Sequence, residues 1–87
     1  MARQYVDIDS VGDKFYYKDP GKTILHREDG PAYVTSDGEY KAWWLNGERH
    51  RLDGPAVRYG DGTDQWYVNG EFIFETDRSG DVVGTLP

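Results

Sequence analysis

Apolar positions along the chain come in short alternating runs, and nearly every run stops at a turn signal. Trp43 and Leu45 lead into Asn46-Gly47, Trp66 and Val68 lead into Asn69-Gly70, and each run is preceded by an Asp-Gly pair at 37–38 or 61–62. A period of two is what a strand with one face toward a core requires. Asn-Gly and Asp-Gly are the strongest short hairpin signals, because a type I′ turn needs φ > 0 at both central residues. Gly or Pro recurs so often that no window of about 12 residues sustains a helical period. The pattern predicts an all-β antiparallel meander of about six short strands. Pro31 and Pro55, which cannot donate to a ladder, belong at strand starts.

The runs are copies of one another. HREDGPAYVTSDGEYKAWWLNGER (26–49) aligns with HRLDGPAVRYGDGTDQWYVNGEF (50–72) after a one-residue deletion. His26, Arg27 and Asp29 match His50, Arg51 and Asp53, and Trp43-Trp44 match Trp66-Tyr67. Residues 1–25 read as a degenerate half repeat, with Tyr16-Tyr17 in the place of the tryptophans and Asp19-Pro20-Gly21 in the place of the Asn-Gly turn. Residues 73–87 abandon the pattern and read as a C-terminal cap on the array.

Two-residue loops fix a register. Leu45 should face Glu48, Trp44 face Arg49 and Trp43 face His50; in the next unit Val68 should face Glu71, Tyr67 face Phe72 and Trp66 face Ile73. Trp43, Leu45, Trp66 and Val68 then share one side of the sheet, expected to be the core side. Trp44, Arg49, Tyr67 and Phe72 share the other as a semi-exposed aromatic patch.

Composition narrows the classes. The chain has 87 residues, too few for a second core. Its 13 aromatics must carry most of the apolar burial, since only 37% of the residues are hydrophobic. No cysteine is present, so disulfides and thiolate zinc sites are excluded, and no apolar run approaches a membrane span or a secretory signal, which points to the cytoplasm. A formal charge of −6 argues against a direct nucleic-acid binder and for a basic partner. The excess acid lies after residue 25: segments 26–49, 50–72 and 73–87 each carry −2, while 1–25 is neutral.

The doubled HRxDGPA…DG…W(W/Y)xNGE string resembles the MORN-type repeats, short β-hairpin units with Asn-Gly turns. More closely, it resembles the HREDGPA and WWLNG variant that occurs in uncharacterised proteins of bacteriophages and large DNA viruses. The likeness covers 23–72 well, 5–22 poorly and 73–87 not at all. Such repeats serve as structural sheets, as protein-binding and dimerisation surfaces and in antitoxin-like proteins. The resemblance therefore implies a non-catalytic protein, in a phage setting an inhibitor of a host defence system such as CRISPR.

Residues that recur in every unit are most economically explained by what every unit needs. His26, Arg27, Asp29, His50, Arg51 and Asp53 are accordingly read as structural, through a charge-assisted Arg–Asp bond or an Asp bonded to its own Asp-Gly-Pro turn. Two histidines held in parallel columns, with no third neutral ligand, do not make a metal site. No serine or carboxylate has a partner at a catalytic spacing, and no cofactor motif is present. Positions that differ between units are the better binding candidates: Tyr33 against Val57, Val34 against Arg58, Thr35 against Tyr59 and Arg49 against Phe72. We therefore expect contact with a basic host protein through Trp44, Arg49, Tyr67, Phe72, Arg58, Tyr59, Asp61 and Asp64. An alternative use of the same aromatics is to stack a nucleotide signal between protomers, and a sheet with free edges is suited to a homodimer.

Overall fold

The computed structural model describes residues 4–85. Residues 1–3 and 86–87, the extremities of the expected half repeat and cap, lie outside this range. The described residues are all-β, with ten strands. They are β1 (Tyr5–Ile8), β2 (Lys14–Tyr17), β3 (Tyr33–Val34), β4 (Lys41–Ala42), β5 (Trp44–Leu45), β6 (Glu48–Arg49), β7 (Val57–Arg58), β8 (Asp64–Val68), β9 (Glu71–Thr76) and β10 (Val82–Thr85). Eight form one antiparallel sheet in the order β1-β2-β3-β4-β7-β8-β9-β10, and β5-β6 is a separate hairpin inserted between β4 and β7. Each strand of this sheet pairs with the sheet strand that precedes it along the chain, β7 reaching β4 across the inserted hairpin, so the sheet is a meander. Seven steps between strands at about 4.8 Å account for about 34 Å of a molecule measuring 39 × 27 × 19 Å. The sheet stays open, with β1 and β10 as its edges. Among the described residues no helix is long and apolar enough to cross a membrane.

Trp43 separates β4 from β5. Its N–H donates to Ala56 O and its carbonyl accepts from His50 N, so its two backbone groups serve different neighbours. In the second unit β8 runs unbroken into the Asn-Gly hairpin. There a bulge between Trp66 and Tyr67 sets Trp66 opposite Phe74, not Ile73 as the simple two-residue register required. The remaining pairs, Trp44 with Arg49, Leu45 with Glu48, Tyr67 with Phe72 and Val68 with Glu71, follow the turns.

The two kinds of turn differ. Asn46 and Asn69 have φ of 52° and 51°, followed by Gly47 and Gly70 at 80° and 82°, the type I′ signature. At the Asp-Gly pairs only the glycine is left-handed, Gly38 at 73° and Gly62 at 93°, so the type I′ expectation fails there. Gly62 N donates to Tyr59 O and Tyr59 N donates to Thr63 O, which describes a type I turn closed by a left-handed glycine. The cause is the aspartate. Asp37 and Asp61 each accept a backbone N–H two residues on through Oδ1, an arrangement that holds the Asp in the right-handed region.

Burial is concentrated on small residues. Ala32, Ala42, Ala56 and Val57 are fully enclosed and Thr76 nearly so. The expected core face of Trp43, Leu45, Trp66 and Val68 is only half-buried, and so is the opposite set of Trp44, Arg49, Tyr67 and Phe72. A sheet without a second layer cannot enclose large rings. Instead the rings lie along the strands and roof the alanines between them, so both faces are partly covered and neither is a deep core.

Candidate functional site

The recurring residues build the connections between units. His26 N donates to Tyr16 O and His50 N to Trp43 O, then Arg27 N to Trp44 O and Arg51 N to Tyr67 O. Each imidazole accepts through Nδ1 the backbone N–H of the next Asn-Gly turn, Asn46 for His26 and Asn69 for His50, at 2.9 Å. Nδ1 of each ring is thus committed to the backbone, while His26 Nε2 lies 3.7 Å from Glu28 Oε1. Among the described residues no group of three or more His, Asp or Glu is placed to hold a metal. Arg27 bonds Asp29 at 3.0 Å and Pro31 O, and Arg51 bonds Asp53 at 3.0 Å and Pro55 O. Their guanidinium carbons lie 4.0 Å from the ring centroids of Tyr16 and Trp43. Gly54 is demanded by this stack, since a Cβ there would sit 2.9 Å from Arg51 Cζ. In the third copy Phe74 takes the place of the arginine and stacks on Trp66 at 4.3 Å. The cap therefore keeps the geometry of the unit while changing its chemistry, which the letters of 73–87 do not reveal.

Of the departing positions, Tyr33, Arg49, Val57, Tyr59 and Phe72 fall on one face, and Val34 and Arg58 on the other. Cross-strand partners share a face, and the registers carry Phe15, Tyr33, Ala42, Val57, Gln65 and Glu75 on the same side. Two residues further along the strands, Tyr40, Tyr59, Trp44 and Tyr67 fall on this side too. Phe15 stacks on Tyr33 at 4.5 Å, Tyr33 meets Tyr40 at 5.2 Å and Tyr40 meets Tyr59 at 5.3 Å, an unbroken aromatic ladder at one end of the strands. Phe15 and Tyr40 were not legible as site residues; only their even spacing from Tyr17 and Ala42 marks them. Burial, then the carboxylates of Asp13 and Asp9 and the Tyr40 phenol, push the Tyr33 phenol above its ordinary value. Burial also raises that of Tyr59, so both hydroxyls remain donors at neutral pH.

At the other end of the same face Tyr67 meets Phe72 edge-on at 5.5 Å. The Arg49 guanidinium lies 5.3 Å from the Trp44 ring and 5.2 Å from the Tyr67 ring, and its Nη1 donates to Tyr67 Oη at 3.3 Å. These four residues do form one cluster. It borders a cleft of about 300 Å³ lined also by Gly47, Glu48 and Gly70. The space in which a base would stack between Trp44 and Tyr67 is occupied by the protein's own guanidinium.

Arg58, Tyr59, Asp61 and Asp64 do not join that cluster. Arg58 and Asp64 pair with each other at 3.2 Å, on the opposite face from Tyr59, because adjacent residues of a strand point oppositely. Asp61 lies in the turn beyond. Four such turns, 9–13, 35–40, 59–63 and 77–81, line up along one rim of the sheet. Ser36 N donates to Asp13 Oδ1 between the first two, a Cβ at Gly60 would strike Glu39, and one at Gly62 would lie 2.5 Å from Arg78 Cβ. The rim carries Asp9, Asp13, Asp37, Glu39, Asp61, Asp77 and Asp81 against the single base Arg78. Hydrogen bonds from the Glu39 N–H and the Thr35 hydroxyl hold the Asp37 carboxyl below its ordinary 3.8, and those from Thr63 do the same for Asp61. Asp37 and Asp61 therefore stay charged further into acid than a free carboxyl does. Compared with known proteins, the chain matches no family model, no curated protein and no solved structure.

Proposed function

We propose that this protein is a non-catalytic binding module that docks on a basic protein surface through its aromatic face and acidic rim. The observation that carries the reading is their adjacency. The ladder Phe15-Tyr33-Tyr40-Tyr59 runs directly beneath turns bearing seven carboxylates, so rigid apolar contact area and steering charge belong to one surface. The recurring His, Arg and Asp side chains are spent on the scaffold, which leaves the pattern-breaking residues for recognition. In the phage setting that the repeat resemblance implies, the natural target is a host defence protein whose basic surface otherwise meets nucleic acid.

The test is capture from host lysate on the immobilised protein. A basic protein should be retained at low salt, eluted by moderate salt, displaced by nucleic acid, and lost from a variant with Asp37, Glu39 and Asp61 changed to Asn, Gln and Asn. Retention that is indifferent to both salt and the triple substitution removes the reading.

A further inference from the structure

We infer that Arg49 is a receptor for a carboxylate group, supplied in the complex by an acidic side chain of the docked protein; this deepens the binding reading and rests on it. In a chain with 16 acids against 10 bases, an arginine finds a counter-ion easily. Arg27, Arg51 and Arg58 each hold a carboxylate at 3.0 to 3.2 Å. Arg49 holds none among the described residues, although it is half-buried between two rings. Of its five N–H donors one reaches an acceptor, the Tyr67 hydroxyl, and its Nε is shut off from solvent with no partner. The nearby acids do not answer it: Glu75 is bonded by Gln65 at 2.7 Å, and Glu48 lines the cleft without pairing.

A second donor is left open in the same way. Trp44 Nε1 is buried with no acceptor, and Trp44 is the cross-strand partner of Arg49. Two enclosed donors without acceptors are costly, and the guanidinium and indole that carry them border the cleft, where a carboxylate meets the charge of Arg49. A carboxylate has two acceptor oxygens, matches the guanidinium fork, and gains from the low dielectric between the rings. Gly47 and Gly70 line the cleft without side chains of their own. Repeat logic adds a separate argument. The matching positions are Leu25 in the half repeat and Phe72 in the last unit, so the fold itself asks for an apolar residue here.

The experiment is a nitrogen-proton correlation titration of the whole protein, followed at the Arg49 Nε–H and Trp44 indole signals. The probes are N-acetyl-glutamate α-amide, its neutral glutamine counterpart and inorganic phosphate. The glutamate probe should shift both signals saturably, at concentrations about tenfold below those at which the glutamine probe does. Arg49→Leu, which restores the residue of the half repeat, should abolish the indole response while raising the thermal midpoint. Equal response to both amides, response to phosphate alone, a response surviving in Arg49→Leu, or a loss of stability in that variant would each overturn the assignment. A negative titration beside successful capture of a basic protein would leave the docking reading standing.

Discussion

At the scale of single residues, one side-chain type performs different work according to whether its position recurs. Arg27 and Arg51 sit over an aromatic ring, donate Nε–H to an aspartate and reach a prolyl carbonyl through Nη1. Arg49 keeps the ring contacts and has neither carboxylate nor carbonyl. Repetition in the sequence made the first role legible, because a pair spaced by two residues that appears twice is readily read as an Arg–Asp bond. The imidazole link to the next turn was not legible, since its partner is a backbone N–H 19 or 20 residues away. The rim aspartates combine turn-holding and charge. The carboxyls of Asp37 and Asp61 sit below 3.8 in the folded chain, so the stability those two contribute is complete above 3.8 and is lost as pH falls through the lower folded values. Asp61→Asn keeps an acceptor oxygen but no longer titrates, so its thermal midpoint should fall less steeply than that of the parent between about pH 5 and about pH 2.

Among elements, turns carried the most readable information. Asn46-Gly47 and Asn69-Gly70 fixed four cross-strand pairs from four letters, because only left-handed residues close a two-residue loop between twisted strands. The Asp-Gly turns were misjudged on type, as the aspartate side chain stabilises a right-handed conformation that no pattern of hydrophobic positions reports. The bulge at Trp66 was also hidden, since it arises from the stack of Trp66 on Phe74. Gly38 and Gly62 separate backbone strain from crowding. Both have left-handed φ, but a Cβ at Gly38 meets nothing within 4 Å while one at Gly62 presses on Arg78. Gly38→Ala should cost about 1 kcal/mol in denaturant unfolding, and Gly62→Ala should cost distinctly more. Equal losses would mean that the rim turns are not packed against one another.

For the molecule as a whole, a single open sheet has consequences that composition only hints at. With no second layer, enclosure falls to three alanines and a valine, and aromatic rings cover both faces. The strand edges remain open, with Val6, Ile8, Val82 and Val83 about half exposed. The class of fold followed from alternation and turns; which face binds did not, because that depends on where pattern-breaking residues from distant strands meet. The central claim is that the repeated His-Arg-x-Asp loops form the scaffold and that the aromatic face and acidic rim form the contact surface. It is tested most directly by mapping amide shifts of the labelled protein on addition of the basic protein it captures. The map should light up Tyr33, Tyr40, Trp44, Arg49, Tyr59, Tyr67 and the rim turns, and leave 27–30 and 51–54 unchanged. Shifts centred on those two Arg-to-Gly loops, with the aromatic face silent, would contradict it.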